Sequence, residues 1–320
     1  MTSFDAFDSD LDEIAERCKS DDAGVRRVAM LELAESVDDG AADLLIAGLK
    51  DSDAAVREAG AKALDEHSSE AIVAALAAAL EDPVQAVRAA AAETLAEKKE
   101  IGSAPLLIER VGHADTFVRA SALRALRELT APAALPAALR ALGDDSPDVR
   151  REAVTVIGYL KAEEALPALM NVGNDADASV RRAVMSALVF MRPGGPGLSA
   201  LLTGLRDPHW QVREQAAASI GKSRAGEAIG PLIATMGDET WQVRAKAANA
   251  LGRICAVPAI PALGEALTHE VSNLRKEAAA ALGEIADPTA LVFLEPAAGD
   301  PDPDVRKLVR WAIGRCQAAV

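Results

Sequence analysis

A valine-arginine pair returns along this chain at a nearly constant interval. It stands at Val25-Arg26, Val56-Arg57, Val87-Arg88, Val118-Arg119, Val149-Arg150, Val180-Arg181, Val212-Arg213, Val243-Arg244 and Val305-Arg306, and Leu274-Arg275 holds the remaining place. The step is 31 residues throughout, except for 32 between Val180 and Val212. A unit this short cannot bury an apolar face by itself. It does so only by stacking on its neighbours, so the ten-fold period dictates a stacked-repeat architecture.

Within the unit, positions are counted from the anchor Val. Position +8 is Leu or Ile in every unit, from Leu33 and Leu64 through Ile157 to Ile313, and +4 is Ala, Gly or Val. Apolar residues at 0, +4, +7 and +8 follow the period of an amphipathic helix, and small residues at +4 allow a neighbouring helix to come close. Position −3 is Asp, Ser or Thr in seven units (Asp22, Asp53, Asp115, Ser146, Asp177, Thr240, Asp302), side chains that cap a helix by accepting from a first-turn amide. Pro147 and Pro303 follow at −2, the first helical position, where no amide is missed. Leu at −11 in eight units marks an earlier helix. Each unit therefore reads helix, short turn, helix, and the chain reads as an all-α protein.

Four units carry Pro at −13 (Pro105, Pro136, Pro167, Pro261), seven carry Asp at −5 (Asp51, Asp82, Asp144, Asp175, Asp207, Asp238, Asp300), and all carry Arg at +1. Proline in the first helix, Asp in the turn and Val-Arg in the second helix resemble the HEAT repeat, and the short unit resembles the phycobilisome-lyase-like (PBS lyase) HEAT repeats. The resemblance covers about residues 10–317. It implies an α-solenoid, a right-handed superhelix of about ten two-helix repeats with the second helices lining its concave face. It also implies a ladder in which each turn Asp meets an Arg of a neighbouring repeat. Ser20, His113 and His269 replace the Asp in three units, so those rungs must differ. The expected organisation is an acidic N-terminal tail, 1–9, followed by one continuous solenoid over 10–320.

The net charge of −15 is unevenly placed: residues 1–100 hold 24 acidic and 10 basic side chains, and the remainder is balanced. Nucleic-acid affinity rests on neutralising phosphates, so no nucleic-acid partner is expected; an acidic end suits solubility or a basic partner surface. The opening residues lack the basic and apolar segments of a signal peptide. The longest apolar run, Ala71–Leu80, is too short to span a bilayer, so no membrane association is expected. Cys18, Cys255 and Cys316 are odd in number and far apart, which fits a reducing cytoplasm.

Residues that could carry chemistry are few. His67, His113, His209 and His269 stand at helix ends, turn-Asp places or cap positions, where they serve local hydrogen bonds. His269-Glu270 is a lone pair in a turn and cannot complete a metal site. Gly194, Gly195 and Gly197 lack the Lys-Ser/Thr of a phosphate loop. Their loop holds the extra residue of the long spacing, either a surface insertion or a bend. Trp210 and Trp241 stand at −2, where other units have Pro, and are read as rings covering the turn. No cofactor, metal site or catalytic residue is expected.

In a repeat protein the shared residues build the scaffold, and function falls on exposed positions that vary. Positions +3, +6 and +10 lie opposite the buried stripe. Position +10 runs Glu35, Glu66, Glu97, Glu128, Tyr159, Phe190, Lys222, Arg253, Glu284, Arg315: four acids, two rings, then bases. Position +6 loses charge in parallel, at Thr155, Ser186, Ala218 and Asn249. One reading is that the two rings merely cover the next helix. The other is an apolar centre with polar walls, a protein-binding face formed by Thr155, Tyr159, Ser186, Phe190, Met191, Lys222, Asn249 and Arg253. The expected activity is that of a non-enzymatic scaffold or adaptor, an assembly or maturation factor that is a monomer when free and grips a peptide or helix of another protein in the groove. The family resemblance implies an alternative, a bilin lyase-like protein acting on a tetrapyrrole-carrying protein. Trp311, in the last unit, is either a shield for the terminal helix or a docking mark.

Overall fold

A computed structural model describes residues 11–36, 39–190 and 195–318, with the side chains of Asp39 and Phe190 outside the description. The chain divides into two compact units, 1–160 and 161–320. In the first, helix α1 (11–17) pairs with α2 (Ala23–Leu33), α3 (Asp39–Gly48) with α4 (Ala54–Ala63), and α5 (Glu70–Ala79) with α6 (Gln85–Glu97). Then α7 (Ala104–Arg110) pairs with α8 (Thr116–Leu129), and α9 (Leu135–Ala141) with α10 (Pro147–Leu160). The second unit repeats the scheme with α11 (Leu166–Val172) and α12 (Ala178–Ala187), α13 (Pro196–Gly204) and α14 (Trp210–Ser223), α15 (Ile229–Thr235) and α16 (Trp241–Arg253). It ends with α17 (Ile260–Ala266) and α18 (Ser272–Ile285), then α19 (Leu291–Ala297) and α20 (Pro303–Gln317). Each unit is thus a stack of helix pairs, the α-solenoid organisation, and no strand occurs among the described residues.

The repeat grammar sets the core. The +4 residues, among them Ala29, Gly60, Ala91 and Val309, are all buried, as is every −11 leucine from Leu45 to Leu294. The +8 residues are buried in nine units, and only Ile313 of α20 is half-buried. Burying each such aliphatic side chain contributes about 1.5–3 kcal/mol. Because each repeat supplies two or three of them to its neighbours, stability is shared between adjacent repeats.

Small residues let the second helices approach one another. A Cβ on Gly221 of α14 would lie 2.8 Å from Ala250 Cα of α16, and one on Gly252 would lie 2.7 Å from Ala281 Cα of α18. Position +9 of one repeat therefore receives position +7 of the next, backbone to backbone. The +4 glycine, Gly60, instead faces the end of its own first helix, at Leu45 O and Leu49 N. Within each unit the second helices form the close-packed row, and the first helices stand further apart.

A ladder of arginines joins the turns. Arg26 Nε donates to Asp51 at 2.7 Å, Arg57 to Asp82 at 2.6 Å and Arg119 to Asp144 at 2.8 Å in the first unit; Arg181 to Asp207, Arg213 to Asp238 and Arg275 to Asp300, each at 2.7 Å, in the second. In each of these pairs NH2 makes the second bond of the fork, and NH1 donates to two carbonyls of the arginine's own turn, as Arg57 does to Asp51 O and Ser52 O. The turn carboxylate also accepts the amide two residues on, as Asp82 does from Val84. The guanidinium bond is the main reason that the Asp51, Asp82 and Asp300 carboxyls titrate below the ordinary carboxylate value.

The substituted rungs differ in kind. His113 Nδ1 accepts from Asp115 N–H at 3.1 Å, and Arg88 turns to the cap residue Asp115 instead, at 2.9 Å. His269 Nδ1 accepts from Val271 N–H at 3.0 Å, while Arg244 NH2 lies 2.9 Å from its Nε2. The caps expected at Asp22, Asp53, Asp115, Asp177 and Asp302 form. The caps expected at Thr240 and His209 do not: the amides of Val243 and Val212 are taken by the cap residues' own carbonyls, at 3.1 and 3.0 Å.

Candidate protein-interaction face

The second helices turn the varying positions away from the core. In the first unit, Tyr159 closes α10 with 48 % of its surface exposed. The Arg127 guanidinium lies over its ring, 5.5 Å from the centroid, and Arg127 Nε donates to Glu128 at 2.8 Å. The ring is thus held from the side of the preceding repeat by a cation, while its other surface meets solvent. Thr155, one turn earlier on α10, is half-buried and donates to Arg151 O at 2.9 Å. Its hydroxyl serves the helix backbone. Of the acid row, Glu35, Glu66 and Glu97 are exposed. Glu128 is half-buried and bonded to Arg127 and to Lys99, at 3.1 Å, so the acidic wall ends one repeat short of Tyr159.

In the second unit, Ser186, Lys222, Asn249 and Arg253 are all exposed. Arg253 Nε donates to Gly221 O at 3.1 Å, which places its side chain against the end of α14 beside Lys222. Asn249 donates to Glu277 at 3.1 Å. The two bases and the amide therefore form one polar strip across α14, α16 and α18. The Phe190 side chain and Met191 lie outside the described residues.

The sequence reading overlooked two features and left a third open. Leu31, at +6 of the first repeat, exposes 51 % of its surface on the same side as the acid row; it is a large aliphatic residue in a position that is polar in six repeats, a signal that a full tally of +6 would have found. The Arg127 stacking partner of Tyr159 comes from +9, a position that is Gly in five other repeats. Trp311, left open between shield and docking mark, lies over Gly283 of the preceding repeat, whose missing Cβ makes room for the ring. It shields that contact and keeps 45 % of its own surface exposed.

Larger hollows lie elsewhere. One of about 800 Å³ in the second unit is lined by Met170 of α11, Met185 of α12, Thr203 of α13, Arg206 in the turn that follows and Pro231 of α15. No group of His, Cys, Asp and Glu suited to a metal ion occurs among the described residues. No described helix is long and apolar enough to cross a membrane.

The arrangement offers a supported ring, a carboxylate row and a cationic strip. No curated protein matches the chain. Among solved structures it is similar to an engineered protein (22 % identity, covering 96 % of this chain and 99 % of that one, TM-score 0.51). It is also similar to Escherichia coli YibA (18 %, 93 % and 97 %, 0.53) and to yeast importin-beta, Kap95p (15 %, 96 % and 52 %, 0.69). This chain thus spans about half of importin-beta, and at these identities the likeness is one of fold. The model of HEAT repeats matches residues 11–96, 73–148, 135–197, 198–272 and 229–314. With paired helices, a shared Arg-Asp ladder and matches from end to end, the chain belongs to the HEAT-repeat family.

Proposed function

We propose that this protein is a non-enzymatic interaction scaffold or adaptor, an assembly or maturation factor of the cytoplasm, that grips a peptide or helix of another protein on the face of its second helices. The observation that carries the reading is Tyr159: a half-exposed ring, braced by Arg127, in a row otherwise dominated by charge. A rigid ring loses little conformational freedom on binding and supplies a large contact area, which makes it an anchor. Thr155 extends the anchor in the first unit, and Ser186, Lys222, Asn249 and Arg253 supply polar contacts in the second, together with Phe190 and Met191 on the sequence reading. The similarity to Kap95p, which binds the protein RanGDP, supports a protein partner. The unbroken step from Val149 to Val180 supports one continuous domain over 10–320, and we take the dilute chain to be a monomer. Nucleic acid, membrane and cofactor have no part in this reading.

The test is affinity capture from native extract with wild type, Tyr159→Ala and a Lys222→Glu/Arg253→Glu pair, each checked for unchanged helical circular dichroism. Reduced recovery of the same partner by both variants supports the face; equal recovery by all three removes it. The subfamily resemblance leaves a lyase-like alternative acting on a tetrapyrrole-carrying protein. A visible band that shifts and intensifies when a bilin is added to the purified chain would favour that alternative over a plain scaffold.

A further inference from the structure

Position +3 holds Val, Ala, Ala and Ser in the first four repeats and Glu152 in the fifth, on α10. The Glu152 side chain is buried, at 6 % exposure, two turns before Tyr159. Three guanidinium groups converge on it. Arg151 NH2 lies 3.3 Å and Arg124 NH2 3.5 Å from Oε1, and Arg127 NH1 lies 3.9 Å from Oε2. A ladder fork such as Arg57 on Asp82 closes at 2.6 and 3.0 Å, so here one carboxylate is stretched among three cations. Two of them have a closer partner elsewhere: Arg151 NH1 donates to Asp148 at 2.6 Å, and Arg127 Nε to Glu128 at 2.8 Å. Arg124 does not. Among the described residues Glu152 is the only carboxylate within 4 Å of it, and its side chain stays 41 % exposed. Lys62, the +6 cation two repeats earlier, is bonded to Glu58 of its own helix at 2.6 Å; at the same spacing before Arg124 stands Ala120. Glu128, one turn after Arg124, is taken by Arg127 and Lys99. Lys99, Arg124, Arg127 and Arg151 thus face Glu128, Asp148 and Glu152, four cations against three carboxylates, and the unmatched charge rests on Arg124.

We propose that Arg124 receives a carboxylate of the partner: the segment that lies on this face sets a large apolar side chain on Tyr159 and an Asp or Glu against Arg124. This rests on the reading of the second-helix face as a peptide-binding surface and adds the chemistry of its occupant. Charge and spacing identify that chemistry. A guanidinium presents a planar fork of N–H donors that matches a carboxylate, and Arg124 spends one of them, at long range, on Glu152. A neutral segment laid over it would strip water from an unmatched cation, whereas a carboxylate balances it. Arg127 stands one turn further along α8, about 5 Å away, with its guanidinium 5.5 Å from the centre of the Tyr159 ring, so cation and ring are neighbours on the face. In an extended segment, side chains two residues apart point the same way at a separation of about 7 Å. An acid two or three places from the apolar residue therefore reaches Arg124. The remainder of the segment is neutral or basic, because Glu35, Glu66 and Glu97 are exposed along the preceding repeats and repel a chain that is acidic throughout.

The experiment selects random phage-displayed peptides on the purified full chain, as wild type and as Arg124→Gln. The variant keeps its fold, checked by helical circular dichroism, because Glu152 retains Arg151 and Arg127. Wild type is expected to enrich a large apolar residue with Asp or Glu two or three places away; Arg124→Gln is expected to keep the apolar preference and lose the acidic one. The best wild-type peptide is then labelled and titrated by fluorescence anisotropy. Replacing its acid with the matching amide is expected to weaken binding to wild type about tenfold or more and to leave binding to Arg124→Gln unchanged, the signature of a direct pair. Arg124→Lys is expected to fall between, since an ammonium cannot fork. A wild-type selection that enriches no acidic residue, or enriches basic ones in those places, overturns the proposal. So does an acid whose replacement weakens binding equally in wild type and Arg124→Gln. Peptides lost in Tyr159→Ala but indifferent to Arg124→Gln leave the peptide-binding face standing and remove this inference alone; peptides indifferent to both substitutions remove the two together.

Discussion

Replacing His269 with Asp repairs a mismatched rung. The imidazole accepts Val271 N–H at Nδ1, and Arg244 NH2 stands 2.9 Å from Nε2. Both neighbours are donors. A neutral imidazole has one bare nitrogen and an imidazolium has none, so at least one contact sets N–H against N–H. Arg244 Nε is also buried without a partner. In the flanking rungs a carboxylate accepts the full fork, from Arg213 at 2.7 and 3.0 Å and from Arg275 at 2.7 and 2.9 Å. The substitution exchanges one mismatched contact for two charge-assisted bonds. A hydrogen bond to a charged group contributes about 1.5–3 kcal/mol net, and desolvating a new carboxylate offsets part of that, leaving a gain of about 2 kcal/mol. Urea unfolding followed by tryptophan fluorescence reads it, because Trp241 opens the helix that carries Arg244. With a urea slope of about 2 kcal/mol per molar, the midpoint rises by about 1 M. His113→Asp is the control. There the ring nitrogens face Asp115 N–H and Glu81, the latter at 3.5 Å, and Arg88 is already paired. A carboxylate would join two others and gain nothing. A midpoint that stays or falls in His269→Asp, or rises equally in His113→Asp, would falsify the reasoning.

Three further outcomes are expected. Thr130, Lys161, Arg224, Cys255 and Ala286 all occupy position +12 with φ between 47° and 56°, a left-handed helix exit that favours Gly; Thr130→Gly should stabilise by about 1 kcal/mol in thermal or urea unfolding, and no gain would mean that the turn is not strained. Gly252→Val drives a branched side chain into the Ala281 backbone, 2.7 Å from the Cβ position, and should destabilise by about 3 kcal/mol; Gly314→Val, facing open space, serves as its comparison. Asp51, Asp82 and Asp300 titrate below the ordinary carboxylate value, chiefly through their arginines, so their contribution is complete above about pH 4 and is lost as pH falls through the lower folded values. Melting temperatures should drop steeply on that acid side, less so in Asp82→Asn, and an unchanged acid slope in the variant would count against the ladder.

The repeat was legible because stacking imposes the same demand ten times. Leu at +8 and −11, Ala at +4 and the Val-Arg anchor each answer a contact made in nearly every repeat, so their spacing located the helices, while the ladder came from the family resemblance. The departures have local causes. Thr240 and His209 carry cap chemistry, but a tight backbone turn reaches the same amides first. The left-handed exit at +12 was invisible because Thr, Lys, Arg, Cys and Ala stand where Gly would have announced it. Tyr159 was legible as an odd ring in a charged row. Its support was not, because Arg127 belongs to the preceding repeat and reads in isolation as an ordinary surface arginine.

Stacking also leaves only certain surfaces free to differ. On an interior second helix, one side meets its own first helix and two sides meet the neighbouring repeats, so variation without cost is confined to +3, +6 and +10, where Tyr159, Lys222 and Arg253 appear. At the first repeat Glu32 takes the +7 place, which the other repeats fill with small or apolar residues, and its carboxylate accepts the fork of Arg17 from α1, so a charge at a normally packed position is matched within its own helix pair.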